Sequence, residues 1–145
     1  MLKRFFLILP LLFLCLGTVQ AQETVSSLLS RGLEFFGEGK YDSAATEFSK
    51  IIKSNPADKD AHYYLGLTFL RAEKYSEAVA PLKKVIELDP MYKGARRNLG
   101  IAYLNLESND LTIQQFEKSI DQDPKDASAY FYLGRVLQQK KWYKV

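Results

Sequence analysis

Residues 61–90 read AHYYLGLTFLRAEKYSEAVAPLKKVIELDP, a stretch with two runs of apolar residues at steps of three and four positions. Such steps place the apolar side chains along one face of an α-helix. The polar segment Ala72-Glu73-Lys74 separates the two runs. Asp89-Pro90 ends the second run, because the residue before a proline is disfavoured in a helix. The stretch therefore predicts two antiparallel helices, named A and B here, joined by a tight turn.

The same pattern recurs along most of the chain every 34 residues, which is the interval from Gly32 to Gly66. The register is marked by glycines, prolines and large apolar residues: Gly32, Gly66, Gly100 and Gly134; Pro56, Pro90 and Pro124; Phe35, Phe69, Tyr103 and Leu137; Phe48, Leu82 and Phe116. A glycine inside a helix costs about 1 kcal/mol relative to alanine. Its recurrence in every A helix therefore indicates a close crossing with the B helix, and stacking of neighbouring units has to complete the core.

This unit resembles the tetratricopeptide repeat, a helix–turn–helix unit of about 34 residues, and the resemblance covers residues 25–145. The matching positions of the second unit are Leu65, Gly66, Phe69, Tyr75, Ala78, Leu82 and Pro90. The resemblance implies an all-α fold, a right-handed α-solenoid of about three and a half repeats (25–58, 59–92, 93–126 and a partial 127–145) in a domain of residues 22–145. Arg31 stands where leucine is usual, and Asn109 and Thr112 where tyrosine and alanine are usual. The last two departures predict looser packing of the third B helix.

The fourth unit has a full A helix, but only Trp142 and Tyr143 suggest the start of a B helix. A single helix that caps the solenoid is one interpretation, since solenoids need a cap with a polar outer side. This helix instead carries Tyr130, Phe131 and Tyr132. We therefore favour a partial chain or a helix that a partner completes, with self-association through the incomplete unit as one form of that partner.

The N-terminal segment has the pattern of a secretory signal peptide. Lys3 and Arg4 precede an apolar run over residues 5–16, and Ala21 provides the small residue at the end. The run is shorter than the roughly 20 residues of a membrane span. We expect residues 1–21 to be removed between Ala21 and Gln22, which leaves an exported, periplasmic or secreted chain without a stable membrane span. A retained anchor and lipidation of Cys15 are the alternatives; Leu14 is not the small residue that lipidation needs.

The composition points away from catalysis and from nucleic acid. Lys and Arg number 20 against 17 Asp and Glu, a formal charge of +3, and two of the positive charges lie in the leader. That balance gives no strong electrostatic case for a nucleic-acid partner. The single histidine, His62, fits a packed position in a helix, and no metal-ligand spacing or phosphate-binding loop occurs. We expect no enzyme activity, no metal and no cofactor.

The resemblance implies that the A helices line a concave groove that grips a partner peptide. Transferred to this chain, the groove consists of Leu33, Phe36, Tyr63, Tyr64, Leu67, Leu70, Arg71, Arg97, Asn98, Ile101, Asn105, Phe131, Tyr132, Arg135 and Gln138. For Leu67 and Ile101, packing between neighbouring helices is an equal interpretation. We expect Arg97, in the middle of the groove, to be solvated in the free protein and so able to hold a carboxylate of the ligand.

The function implied is a non-enzymatic interaction scaffold of the bacterial cell envelope that binds a protein or peptide. The alternatives are the N-terminal module of a longer exported protein with a separate activity, and a module that binds glycan or lipid. A clamp for chaperone tails is not expected. Such a clamp needs Lys and Asn in the first A helix, Asn in the second, and Lys and Arg in the third. The matching positions here are Ser26 and Ser30, then Tyr64, then Gly94 and Asn98, and none of them carries the residue type that is needed.

We predict that the exported protein begins at Gln22. Mass spectrometry of protein recovered after export should find Gln22, or its cyclised form, at the N-terminus. A mature protein that retains residues 5–16, or one acylated on Cys15, would contradict the cleavage site.

Overall fold

The computed structural model describes residues 24–142, which form seven α-helices and, within that range, no strand. The helices are α1 (Val25–Gly37), α2 (Tyr41–Ser54), α3 (Lys59–Arg71), α4 (Tyr75–Leu88), α5 (Ala95–Asn105), α6 (Asn109–Gln122) and α7 (Ala127–Trp142). The predicted all-α fold of repeated helix pairs is confirmed. The predicted leader and its cleavage between Ala21 and Gln22 lie outside the described residues. From residue 24 to residue 142, no helix combines the length and the apolar composition needed to cross a bilayer.

The helices stack in chain order, and each one packs on the next. The first helices of the pairs also touch one another, since α3 contacts α5 and α5 contacts α7. These first helices therefore form one layer of the solenoid, and α2, α4 and α6 pack against that layer. A side chain on the exposed side of α3, α5 or α7 is thus placed next to its counterpart from the neighbouring pair.

Each described pair is closed by a glycine that faces a large side chain. A Cβ atom placed on the glycine would lie 2.6 Å from Phe48 at Gly32, 2.6 Å from Leu82 at Gly66 and 2.9 Å from Phe116 at Gly100. The three large side chains are completely buried. The close helix crossing inferred from the recurring glycines is therefore present in all three pairs, and a larger residue fits there only if the facing side chain or its helix shifts.

Thr112 occupies the alanine register of α6 without loosening it. The side chain is completely buried, and its hydroxyl donates a hydrogen bond to the carbonyl oxygen of Ser108 at 3.0 Å. Its polar group is therefore satisfied inside the helix itself. The predicted looser packing of this helix is not observed at Thr112.

Arg31, the other departure from the usual pattern, forms an ion pair inside the first helix pair. Its Nε atom donates to the carboxylate of Glu47 at 3.0 Å, and Lys50 Nζ donates to the same carboxylate at 2.9 Å. Only 6% of Glu47 is exposed. Burial alone would raise the pKa of Glu47, but the hydrogen bonds from Lys50 and Arg31 outweigh it and hold the pKa below its usual value. An ionic contact thus links α1 to α2 beside the glycine crossing.

We predict that Gly100→Leu destabilises the protein, whereas Gly134→Leu does not. The new side chain at Gly100 would overlap Phe116, and overpacking of this kind costs about 1–3 kcal/mol. Apart from the backbone of its own helix, no described atom lies within 4 Å of a Cβ atom at Gly134, and leucine is the better helix former by about 1 kcal/mol. Chemical denaturation should give a lower midpoint for Gly100→Leu only. Equal midpoints for the two variants would show that Gly100 is not at a close crossing.

Candidate functional site

The layer of first helices presents one row of side chains, one from each repeat at the same register, which we call the inner row: Leu33, Leu67, Ile101 and Arg135. Leu33 is 39% exposed, Leu67 and Ile101 are half-buried, and Arg135 is exposed. The row is therefore apolar along three helices and positively charged on the fourth. This combination suits a ligand that has both apolar groups and a negative charge.

An open cavity of about 370 Å³ lies where the inner row passes from α5 to α7. Its lining consists of Ile101, Leu104, Asn105, Glu107, Tyr132, Arg135 and Gln139. Three of the predicted groove residues, Ile101, Tyr132 and Arg135, are thus brought together. Gln138 was the predicted residue here, but Gln139 lines the cavity. Gln139 stands one repeat after Asn105, and that register is the signal that would have identified it.

Arg135 is held in place by aromatic rings. The centre of its guanidinium group lies 5.9 Å from the ring centre of Phe131 and 6.0 Å from that of Tyr132. Such cation–π contacts orient an arginine and leave its hydrogen-bond donors free. Phe131 itself is 61% exposed. Within residues 24–142 no acidic side chain forms an ion pair with Arg135. Its charge is therefore available to a ligand.

Arg97 has a different role from the one predicted. Its Nη1 atom donates to the carboxylate of Asp126 at 2.9 Å, and Asp126 is only 8% exposed. The same aspartate accepts a hydrogen bond from the backbone amide of Ala129 at 3.2 Å, at the beginning of α7. The expectation that Arg97 is solvated is wrong, because its side chain ties α5 to the N-terminus of α7.

Tyr63 and Asn98 also connect neighbouring repeats. Asn98 is only 7% exposed, and its side-chain amide donates to the hydroxyl of Tyr63 at 3.1 Å. The ring of Tyr92 lies 4.8 Å from that of Tyr63, and the Tyr92 hydroxyl donates to Asp60 at 2.6 Å. Burial and the Asp60 carboxylate both raise the pKa of Tyr92, so its hydroxyl stays protonated and remains a donor. The prediction of Asn98 as an open groove residue is therefore corrected: Asn98 is a buried contact between α3 and α5.

Tyr64 and Tyr132 stack on the large residue of the preceding helix. The ring centres are 5.6 Å apart in both pairs, Tyr64 with Phe48 and Tyr132 with Phe116. These stacks hold the second repeat on the first and the fourth repeat on the third. We call such a contact region between neighbouring repeats a joint. Asn98 occupies the same register at the second-to-third joint, where a hydrogen bond replaces the stack.

The residue that precedes the first helix of a pair has a role that the sequence pattern alone does not predict. In that register stand Asp58, Tyr92 and Asp126. Asp58 accepts a hydrogen bond from the amide of Ala61 at 2.9 Å and so caps α3. Tyr92 does not cap α5, which begins only at Ala95, after Gly94 with φ of 81° in the left-handed region that favours glycine. Tyr92 stands where the other two repeats have aspartate, and this replacement was the sequence signal that α5 begins differently.

Arg71 and His62 lie apart from the inner-row cavity. Arg71 borders a separate depression of about 590 Å³ between two helix turns, where Lys74 and Asp42 form an ion pair at 2.8 Å. The structure does not bring Arg71 together with Arg135. The Nε2 atom of the half-buried His62 lies 3.0 Å from the carbonyl oxygen of Pro56. In the described range, no cluster of His, Cys, Asp or Glu residues is suited to hold a metal ion.

Two profiles of the tetratricopeptide repeat match the chain, one over residues 29–93 and 66–127 and the other over residues 116–144. Among solved structures, the second such domain of human RPAP3, in complex with the HSP70 peptide SGPTIEEVD, is 28% identical with a TM-score of 0.74; the match covers 77% of this chain and 93% of that one. MamA from Desulfovibrio magneticus RS-1 is 27% identical with a TM-score of 0.80, over 86% of this chain and 70% of that one.

A third structure, the first tetratricopeptide domain of Spaghetti (RPAP3) bound to the HSP90 peptide SRMEEVD, is 20% identical with a TM-score of 0.78. It covers 81% of this chain and 93% of that one, and at this identity the likeness shows the fold alone. None of the curated proteins matches this chain significantly.

We predict that Arg97→Ala lowers stability and that Arg135→Ala does not. Loss of Arg97 leaves the buried carboxylate of Asp126 without its cation, which costs about 1–3 kcal/mol. Arg135 is exposed and forms no ion pair in the described range, so its loss should stay within about 0.5 kcal/mol. Urea denaturation of both variants checks this, and an unchanged midpoint for Arg97→Ala would mean that the ion pair does not support the joint.

Proposed function

The chain belongs to the tetratricopeptide repeat family, and from that premise we propose that it is a non-enzymatic scaffold that binds an extended peptide of a partner protein along the inner row. One observation carries the proposal: Arg135, which lies over two aromatic rings and forms no ion pair within residues 24–142, continues a line of three partly exposed apolar side chains.

The spacing of the inner row fits a peptide in the polyproline II conformation. Neighbouring packed helices lie about 8–10 Å apart. A polyproline II peptide repeats every three residues and rises about 9 Å in that distance. Every third residue of such a peptide would meet the next member of the row. We therefore expect an aliphatic ligand residue over Ile101 and an acidic one over Arg135, three positions further along.

The charges around the cavity favour a single carboxylate. Arg135 offers a planar pair of donors that can hold one carboxylate in a bidentate fashion. Glu107 lines the same cavity, and its charge disfavours a second acid there. Arg97, which would supply a second cation, is already paired with Asp126. The ligand we expect is therefore apolar with one acidic group, and not an acidic run.

Peptide recognition by the same fold supports this proposal. The RPAP3 domain that is 28% identical to this chain was solved with an HSP70 peptide. The residues at the clamp positions differ here, for example Gly94, which directly precedes α5, and the buried Asn98. A peptide of another sequence class is therefore expected.

We also propose that the scaffold acts outside the cytoplasm, in the bacterial cell envelope. The support is the leader pattern of residues 1–21, with two positive charges before an apolar run and a small residue at its end. The partner would then be another exported protein or the exported part of a membrane protein.

Selection from a library of random displayed peptides tests the binding proposal. Enriched peptides, labelled and titrated by fluorescence anisotropy, should carry an aliphatic residue and one carboxylate about three positions apart. Arg135→Ala should remove a charge-assisted contact of about 1.5–3 kcal/mol, which corresponds to Kd values weaker by roughly tenfold to a hundredfold.

Arg96→Ala is the matched control, since Arg96 is also in a first helix but lies outside the inner row and its cavity. This variant should bind with unchanged Kd. Equal binding by Arg135→Ala, or a library that yields no binder while a glycan array does, would contradict the proposal.

A further inference from the structure

The inner-row cavity contains two opposite charges that do not neutralise each other. Arg135 on α7 and Glu107 in the turn after α5 both line the cavity, yet within residues 24–142 no ion pair joins them. Glu107 is exposed and forms no ion pair with any other cation of that range. Lys140, which follows the cavity residue Gln139, is already paired with Asp110. The cavity therefore offers a ligand one cation and one anion.

Glu107 occupies a backbone position that suits glycine better than glutamate. Its φ is 56°, in the left-handed region, and it directly follows Leu106, the C-cap of α5, where glycine is the usual residue. Gly39 fills this position in the first repeat. A carboxylate at the C-terminal end of a helix is also close to the negative end of the helix dipole. Within the described residues, no ion pair compensates for these two unfavourable features.

The α5 side of the cavity presents hydrogen-bond acceptors. The side-chain amide nitrogen of Asn105 donates to the carbonyl oxygen of Ile101 at 2.9 Å, which leaves the side-chain oxygen as an acceptor. The carboxylate of Glu107, two residues further on, is also an acceptor. Lysine and arginine side chains are donors without an acceptor, and the negative end of the α5 dipole favours a cation. A cation of the ligand therefore fits the α5 side, whereas a carboxylate fits Arg135 on the α7 side.

We propose that Glu107 makes the cavity selective for a peptide in which a lysine or arginine accompanies the acidic residue. This inference rests on the peptide-binding function proposed above and adds a second determinant of its ligand. Glu107 lies six residues after Ile101, about 9 Å further along the axis of α5. A long side chain is therefore needed to reach it from a ligand residue near Ile101, and lysine and arginine have such side chains.

Glu73 provides a matched control for Glu107. It holds the same position in the second repeat, with φ of 58°. It lines the separate depression that also contains Lys40, Arg71 and Lys74, and it lies outside the inner-row cavity. Substitutions of the two glutamates therefore change the same kind of turn, and only the one at Glu107 changes the cavity.

Peptide selection followed by fluorescence anisotropy tests the inference. Peptides that the wild-type protein enriches from the random library should contain lysine or arginine more often than the library itself. Replacing that base with glutamine in a labelled peptide should weaken binding about threefold to fivefold, the scale of a solvent-exposed ion pair, and by less at high salt. Glu107→Gln should bind both peptides equally, at the weaker Kd, whereas Glu73→Gln should discriminate between them as the wild type does.

Urea denaturation separates this role from a structural one. Glu107→Gly and Glu73→Gly should both unfold at a midpoint no lower than that of the wild type, because glycine adopts the left-handed conformation without steric cost. Of these two variants, only Glu107→Gly should lose the preference for the peptide that carries the base.

Four results would overturn the inference. Enriched peptides that depend on Arg135 but show no excess of lysine or arginine would leave the proposed function intact and remove Glu107 from it. Equal discrimination by the wild type and Glu107→Gln would assign recognition of the base to another residue. A lower urea midpoint for Glu107→Gly would make the glutamate a structural residue of the turn. A library that yields no binder at all would overturn the proposed function, and this inference with it.

Discussion

The whole array depends on one steric constraint, the contact between a glycine in the first helix of each pair and a large side chain in the second helix. Because a Cβ atom at Gly32, Gly66 or Gly100 would lie within 3 Å of that side chain, the two helices of a pair can reach this separation only with glycine. The large side chain, fully buried, then becomes the surface on which the next pair stacks. Tyr64 on Phe48 and Tyr132 on Phe116 show this second step directly. Pair closure and stacking between pairs therefore rest on the same residues.

Stacking also decides which side chains of the inner layer are left for a ligand. Tyr63, Arg97 and Asn98 belong to joints between repeats, through the Tyr63–Asn98 hydrogen bond and the Arg97–Asp126 ion pair. The inner row stays at least partly exposed after the joints are formed, and it ends on Arg135. A substitution in a joint would alter binding indirectly through the stability or curvature of the array, whereas a substitution in the inner row would act on the ligand itself.

The helix pairs were predictable from sequence because their determinants recur. The glycine, proline and aromatic positions all repeat at the same interval, and all of them mark the same two-helix repeat. The joints were not predictable in detail. The pairing of Arg97 with Asp126 depends on how a side chain extends from one first helix to the cap of the next, and the pattern of the first helices does not encode that geometry. The altered start of α5 was visible in principle, since Tyr92 interrupts the register of Asp58 and Asp126, but its packing against Tyr63 required the folded chain.

The central claim is that the inner layer between α5 and α7 recognises the ligand, while the second helices only support it. Hydrogen–deuterium exchange of the protein, free and saturated with a selected peptide, tests this claim most directly. We expect slower exchange in α5 and α7, on the helical turns that carry Ile101 and Arg135, and no change in the exposed parts of α2, α4 and α6. Protection confined to the second helices would contradict the account and move the binding surface to the other side of the array.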